Sequence, residues 1–239
     1  MTGEARLSLL DGFALACAEG TVDVPRTLQR LLAFLGLRGR ASRAHAIGVL
    51  WPESDEQRAL GSLRTALWRL HQLGAPVVAA QGETLRLHDW VRVDVDDLVL
   101  SAKTAAVGDE PPDVLDLRMG GLRELLPGWF DDWVLIERER LRQLYLHTME
   151  RLAANELRQG KYGEAVESTL AAMRAEPLRE TPHRLLLEIH LAEGNYSEAL
   201  NTYHSYRVLL RRELGVGPSP EMQRLLHEAD RADYLPSAG

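Results

Sequence analysis

The seven residues GKYGEAV, at 160–166, return as GNYSEAL at 194–200. Four identities hold one offset of 34 residues: Gly160/Gly194, Tyr162/Tyr196, Glu164/Glu198 and Ala165/Ala199. A fixed period of this length is written by a helix–turn–helix unit stacked on its own copy, because one unit alone cannot bury its apolar face. The glycine ends one helix, the tyrosine packs between the pair, and the alanine lets two helices approach closely. Ala172 and Pro177 fall where such a unit expects a small residue and a helix-ending proline. The period is that of tetratricopeptide helix pairs. Two copies rarely stand alone, so flanking helices at 134–159 and 220–232 are expected to cap them. In the first of these, Leu135, Leu141, Leu144, Met149, Leu152 and Leu157 keep helical spacing. Its run Glu137-Arg138-Glu139-Arg140 reads as a solvated face.

Ahead of the repeat the apolar period is two, then 3.6, then two again. Residues 5–25 alternate in short runs broken at Asp11-Gly12 and Glu19-Gly20, which predicts a small antiparallel meander. Pro25 opens a helix carrying Leu28, Leu31, Leu32 and Leu35 and closing at Gly36/Gly39. Ser42 can cap a second helix that stops at Trp51-Pro52, and Ser54 or Asp55 a third that runs to Gly74. VVAA, the Gln81-Gly82 turn and residues 84–95 then read as a hairpin with Arg86 and Arg92 on its strands. Strands, three helices and a closing hairpin describe a winged helix-turn-helix with an N-terminal sheet. The expected fold class is therefore mainly α with small β. A winged helix occupies 1–96, and an all-α tetratricopeptide-like repeat domain occupies 97–239, with little linker. Residues 94–107 read as a helix and 108–113 as an exposed loop.

The net charge of −7 is unevenly spread. Residues 25–92 hold ten arginines against five carboxylates, a net +5, whereas 17 basic and 23 acidic residues from Leu98 onward give −6. Such asymmetry points to an anionic partner for the basic part. The third helix sharpens the point. Leu60, Leu63, Leu67 and Leu70 form its core face, with Arg58, Gly61, Ser62, Thr65, Trp68, Arg69 and Gln72 opposite and Arg64 and His71 between. That outer face lacks carboxylates and suits a DNA major groove. Arg58 and Arg69 would meet guanine edges or phosphates, Ser62 and Thr65 phosphates or a thymine methyl, and Gln72 adenine or the backbone. Arg64 serves either DNA or an acid of the second domain. Arg86 is the expected wing contact, and Arg43 completes the candidate DNA-binding set. Trp68 can pack under the wing or press on the sugar-phosphate, and its bulk favours packing.

Enzyme motifs are missing. Lys103 and Lys161 are the only lysines, and neither lies in a phosphate-cradling glycine loop. The patterns His-Glu-x-x-His, Gly-x-Ser-x-Gly and Gly-x-Gly-x-x-Gly do not occur. His183 and His190 read as structural, and Asp94, Asp96, Asp97, Asp131 and Asp132 as caps at helix starts. The lone Cys17 excludes an internal disulfide and a cysteine zinc site. With neither a signal segment nor a bilayer-length apolar run, a cytoplasmic protein without cofactor or metal is expected.

LRTALWRL at 63–70, preceded by Trp51-Pro52 and the LLDGF strand at 9–13, resembles the DNA-binding half of the Streptomyces antibiotic regulatory protein family. PGWFDDW at 127–133, ERERLRQL at 137–144, EPLRE at 176–180 and above all RRELGVGPSPE at 211–221 resemble the bacterial transcriptional activator domain that follows in that family. The resemblance implies an OmpR-type winged helix. It also implies an activator of transcription, often of biosynthetic gene clusters, that binds repeated promoter sites as a dimer or higher assembly. Double-stranded promoter DNA, RNA polymerase or other transcription proteins, and a second copy are the implied partners, with no membrane. Two positions depart from the family pattern: His71 replaces an arginine, and Thr84-Leu85-Arg86-Leu87 replaces Gly-Tyr-Arg-Leu in the wing. The alternative is a protein-interaction adaptor working through the repeat groove.

Overall fold

The computed structural model describes residues 4–18, 20–72, 76–106 and 114–233, except for the side chains of 106, 114 and 229–233. The loop expected at 108–113 lies outside them. Two compact units emerge, one of Met1–Val99 with Arg123–Leu141, the other of Leu100–Leu122 with Arg142–Gly239.

The first unit opens with the expected meander, β1 (Ala5–Ser8), β2 (Ala14–Cys17) and β3 (Gly20–Val22), paired antiparallel. Helix α1 (Arg26–Arg38) buries Leu28, Leu31, Leu32, Phe34 and Leu35. It lies close on β1: a Cβ at Gly36 would stand 3.0 Å from Leu7 Cδ2, so any larger residue needs the Leu7 side chain to give way by a few tenths of an ångström. Strand β4 (Arg40–Ser42) follows, unannounced by any alternation because it is three residues long. Ser42 then caps α2 (Arg43–Leu50), its Oγ accepting from His45 N at 3.1 Å. Asp55 caps α3 (Glu56–Gln72), accepting from Arg58 N at 2.9 Å. The wing hairpin joins β5 (Val78–Gln81) to β6 (Thr84–Leu87), and β4 completes it in the order β4-β6-β5.

The hairpin ends sooner than expected. Arg92 belongs to β7 (Val91–Val93), which leaves the wing and pairs parallel with β1, Ala5 opposite Val91. Asp94 fastens that return. It begins α4 (Asp94–Ala106), yet its carboxylate accepts from Leu9 N at 3.0 and 3.1 Å and from Leu10 N at 3.1 Å. Burial pushes its pKa above the ordinary carboxylate value, and those two amides oppose the rise.

Residues 123–141 pack within this unit. The Arg26 guanidinium lies 3.6 Å over the Trp129 ring, Phe34 meets Trp133 edge-on at 5.8 Å, and Arg30 pairs with Asp131 at 2.5 Å. Only part of the charge run is a solvated face: Glu139 and Arg140 are exposed, but Glu137 and Arg138 are not. Glu137 is buried between Arg38 at 3.5 Å and Arg140 at 2.6 Å, while Arg138 donates to the carbonyls of Leu125, Leu126 and Trp129. Leu135, expected on the core stripe, is exposed instead.

Among the described residues six further helices follow α4: α5 (Val114–Gly120), α6 (Asp132–Arg158), α7 (Tyr162–Ala175), α8 (Glu180–Ala192), α9 (Tyr196–Glu213) and α10 (Pro220–Asp233). The repeat is realised as α7–α8 and α9–α10. Gly160 and Gly194 take φ of 73° and 78°, which a side chain resists, and Ala165 and Ala199 are wholly buried. Leu187, Ala199, Tyr206, Leu210, Met222 and Leu226 form the core beneath α10. Ser219 explains the GPSPE segment. Its Oγ accepts from Met222 N, and its own N–H and hydroxyl are held by Glu180, which ties 211–221 to EPLRE.

His183 is structural, as expected. Its ring stacks on Tyr206 with centroids 4.0 Å apart, and its Nε2–H donates to the Pro177 carbonyl at 2.9 Å. Burial lowers its pKa below 6.5, so folding favours the neutral ring. The folded state then binds fewer protons than the unfolded chain between the lowered value and 6.5. Stability is complete above that window and is lost as pH falls through it, at up to about 1.4 kcal/mol per pH unit. Urea titrations from about pH 7.5 to 5 should show this slope, and His183→Gln should remove it. An equal slope in the variant would assign the pH dependence elsewhere.

Candidate nucleic-acid interface

The orientation of α3 is set by its buried stripe, Ala59, Leu63, Ala66 and Leu70, with Leu60 and Leu67 half-buried at the edges. At about 100° per residue, Gly61 and Trp68 stand directly opposite that stripe, with Gln57, Arg64, Thr65 and Gln72 beside them. Arg64 therefore moves from the flank onto the outward face. Arg64, Thr65, Arg69 and Gln72 are exposed, Ser62 is half-buried, and the Arg58 side chain is 85% exposed. Arg58 pairs with Asp55 at 3.2 Å, a surface contact worth little in water. Trp68 departs from expectation: it is 62% exposed rather than packed. After Glu56 in the first turn, α3 carries no carboxylate.

Arg58, Ser62, Thr65 and Arg69 form one wall of an open groove of about 470 Å³, faced by Pro25, Thr27 and Leu28 at the start of α1 and by Trp51. The first turn of α1 has no acidic side chain and Pro25 provides no side-chain cap. One cationic wall, facing a helix start with no side-chain cap, suits an anion. On the other edge of α3, Leu67, Leu70 and His71 line a smaller cleft with Pro76, Val78 and Ala80. His71 thus looks towards the wing.

Arg43, at the start of α2, and Arg86, on the wing, are already engaged. Arg43 braces the turn, its Nε donating to Gly82 O at 2.8 Å and its backbone N–H to Glu83 O at 2.8 Å. Arg86 donates through Nη1 to Asp89 at 2.6 Å and to Leu87 O at 3.2 Å. Arg40, exposed on β4 directly across from Arg86, joins this edge. It drew no notice in the sequence because the strand that places it is too short to see. Arg92 pairs with Glu4 on the other sheet. Among the described residues no cluster of three His, Cys, Asp or Glu could hold a metal, and no helix is long and apolar enough to cross a membrane.

Comparison with known proteins adds to this geometry. The bacterial transcriptional activator domain matches residues 115–229. Regulatory protein AfsR of Streptomyces coelicolor is 33% identical over 217 residues, 85% of this chain and 22% of its own length. AfsR of Streptomyces griseus is 32% identical over 87% of this chain, again 22% of its own. The chain thus spans about a fifth of those relatives. Regulatory protein DnrI of Streptomyces peucetius is 26% identical over 77% of this chain and 75% of its own length. Mycobacterium tuberculosis EmbR, solved in complex with a low-affinity phosphopeptide, superposes with a TM-score of 0.68 over 96% of this chain and 66% of that one. At 20% identity the likeness shows a shared fold: a winged helix followed by tetratricopeptide-like helices.

Proposed function

This chain belongs to the Streptomyces antibiotic regulatory proteins, a family of transcriptional regulators and not of enzymes, and from that membership we propose that it binds double-stranded promoter DNA. Residues 1–96 form the DNA-binding part, with α3 in the major groove and the wing along the backbone. Residues 97–239 associate with a second copy and with RNA polymerase, and the protein activates a biosynthetic gene cluster. The observation that supports this most directly is the outward face of α3, where Arg58, Arg64, Arg69 and Gln72 stand exposed with no carboxylate among them.

Gel shifts with the DNA upstream of its own gene, in a salt series from about 50 to 200 mM, test the reading. Affinity should fall steeply and linearly on logarithmic axes, because each phosphate neutralised by arginine releases condensed counterions. Folded protein that leaves every duplex unshifted at the low-salt end would overturn it.

A further inference from the structure

The most exposed large apolar side chain of α3 stands where its surroundings are cationic and polar. Trp68 lies opposite the buried stripe, with Arg64 and Gln72 one turn before and after it and Arg69 beside it. Gly61, two turns back on the same line, adds no side chain, and nothing lies within 4 Å of where its Cβ would be. The indole is therefore not covered from that side. Thr65 is the second apolar element. Its hydroxyl donates to Gly61 O at 3.0 Å, so the oxygen is turned back onto the helix and the γ-methyl is the group it offers outward.

We propose that Trp68 is a specificity-determining residue that, with the Thr65 methyl, reads thymine C5-methyl groups in the major groove. The inference rests on the DNA-binding reading and deepens it. An apolar protein surface laid over Trp68 would strip water from Arg64 and Arg69 without replacing it, which is costly. A polyanion carrying apolar groups satisfies both demands, and the thymine methyl is the apolar group among the base edges that line the major groove. Arg58 and Arg69, set toward the α1 groove, are left to the phosphates, which position the protein without reading sequence.

The test begins with a random-sequence duplex library selected by the full chain. Each thymine of the enriched site is then replaced by deoxyuridine, which deletes only the methyl. At one or two positions the wild type should lose about fourfold in affinity, the value of one buried methyl. Trp68→Ala should bind the intact site more weakly and lose the sensitivity at one or more of those positions, any that remains being the share of the Thr65 methyl, with its salt dependence unchanged. Trp68→Phe, which keeps an apolar ring, should retain the sensitivity. The uracil series on the wild type needs no variant at all. A wild type indifferent to every replacement, or a Trp68→Ala protein as sensitive as the wild type, would overturn the proposal while leaving DNA binding intact. Altered self-association with unchanged methyl discrimination would overturn it in favour of a protein contact. A library that yields no enriched sequence removes this inference, and folded wild type that binds no duplex removes the DNA-binding reading as well.

Discussion

Arg118→Ala is expected to cost the second unit about 3–5 kcal/mol, the usual penalty for leaving one member of a buried ion pair without its partner. Arg118, Glu156 and Ser168 are all buried and closed into one network. The Arg118 guanidinium pairs with Glu156 through Nη2 and donates from Nε to Ser168 Oγ at 2.9 Å. Ser168 in turn donates to the second Glu156 oxygen at 2.9 Å. Two more bonds hold the same short helix, Tyr145 donating to Leu117 O and Arg174 to Arg118 O. α5 has only seven residues and cannot persist by itself, so these bonds are what keep it on α6 and α7. Denaturant unfolding followed by far-UV circular dichroism reads the loss. All five tryptophans lie in the first unit, so their fluorescence reads whether the loss stays confined to the second. Replacing Arg118 by Met together with Glu156 by Leu should recover most of the stability, since no charge then remains buried. A single variant within about 1 kcal/mol of wild type would mean the pair is hydrated, and that α5 is held by packing.

That network also shows where the sequence stops being readable. The 34-residue period was visible because glycine and alanine at fixed steps answer local demands, a left-handed turn and a close helix contact, and both are met at Gly160, Gly194, Ala165 and Ala199. The caps at Ser42 and Asp55 were visible for the same reason. Arg118 and Glu156 are 38 residues apart, and nothing in either neighbourhood announces the other. The parallel pairing of β7 with β1, which removes Arg92 from the wing, is likewise a long-range choice that three residues cannot spell. Glu137 looked solvated because its own helix supplies alternating charge. It is buried because α1 brings Arg38 to it. For the interface, the carboxylate-free face of α3 was legible from its period alone. The exposure of Trp68 was not, because a general preference for burying tryptophan does not say which one stays at the surface.

Replacing Arg58 and Arg69 together by alanine should weaken promoter binding about thirtyfold at 0.15 M salt and flatten the logarithmic salt dependence by about 1.8. Each arginine that neutralises one phosphate contributes about 0.9 to that slope, so the two effects are tied: the deficit grows as salt is lowered. Both side chains line the groove at the start of α1, where helix amides already favour an anion. Arg58 can leave Asp55 for a phosphate, because the pair is exposed and weak. The loss should be nearly the same for selected and unrelated duplexes, since phosphates carry no sequence. Arg92→Ala is the matched control. Arg92 has a 79% exposed side chain but stands on β7, outside the wing and α3. Removing it changes net charge by one without touching the interface, and it should leave the slope near its wild-type value. If Arg92→Ala flattened the dependence as much as Arg58→Ala or Arg69→Ala alone, binding would follow the overall charge of the chain. The α3 face would then have no special claim on the DNA.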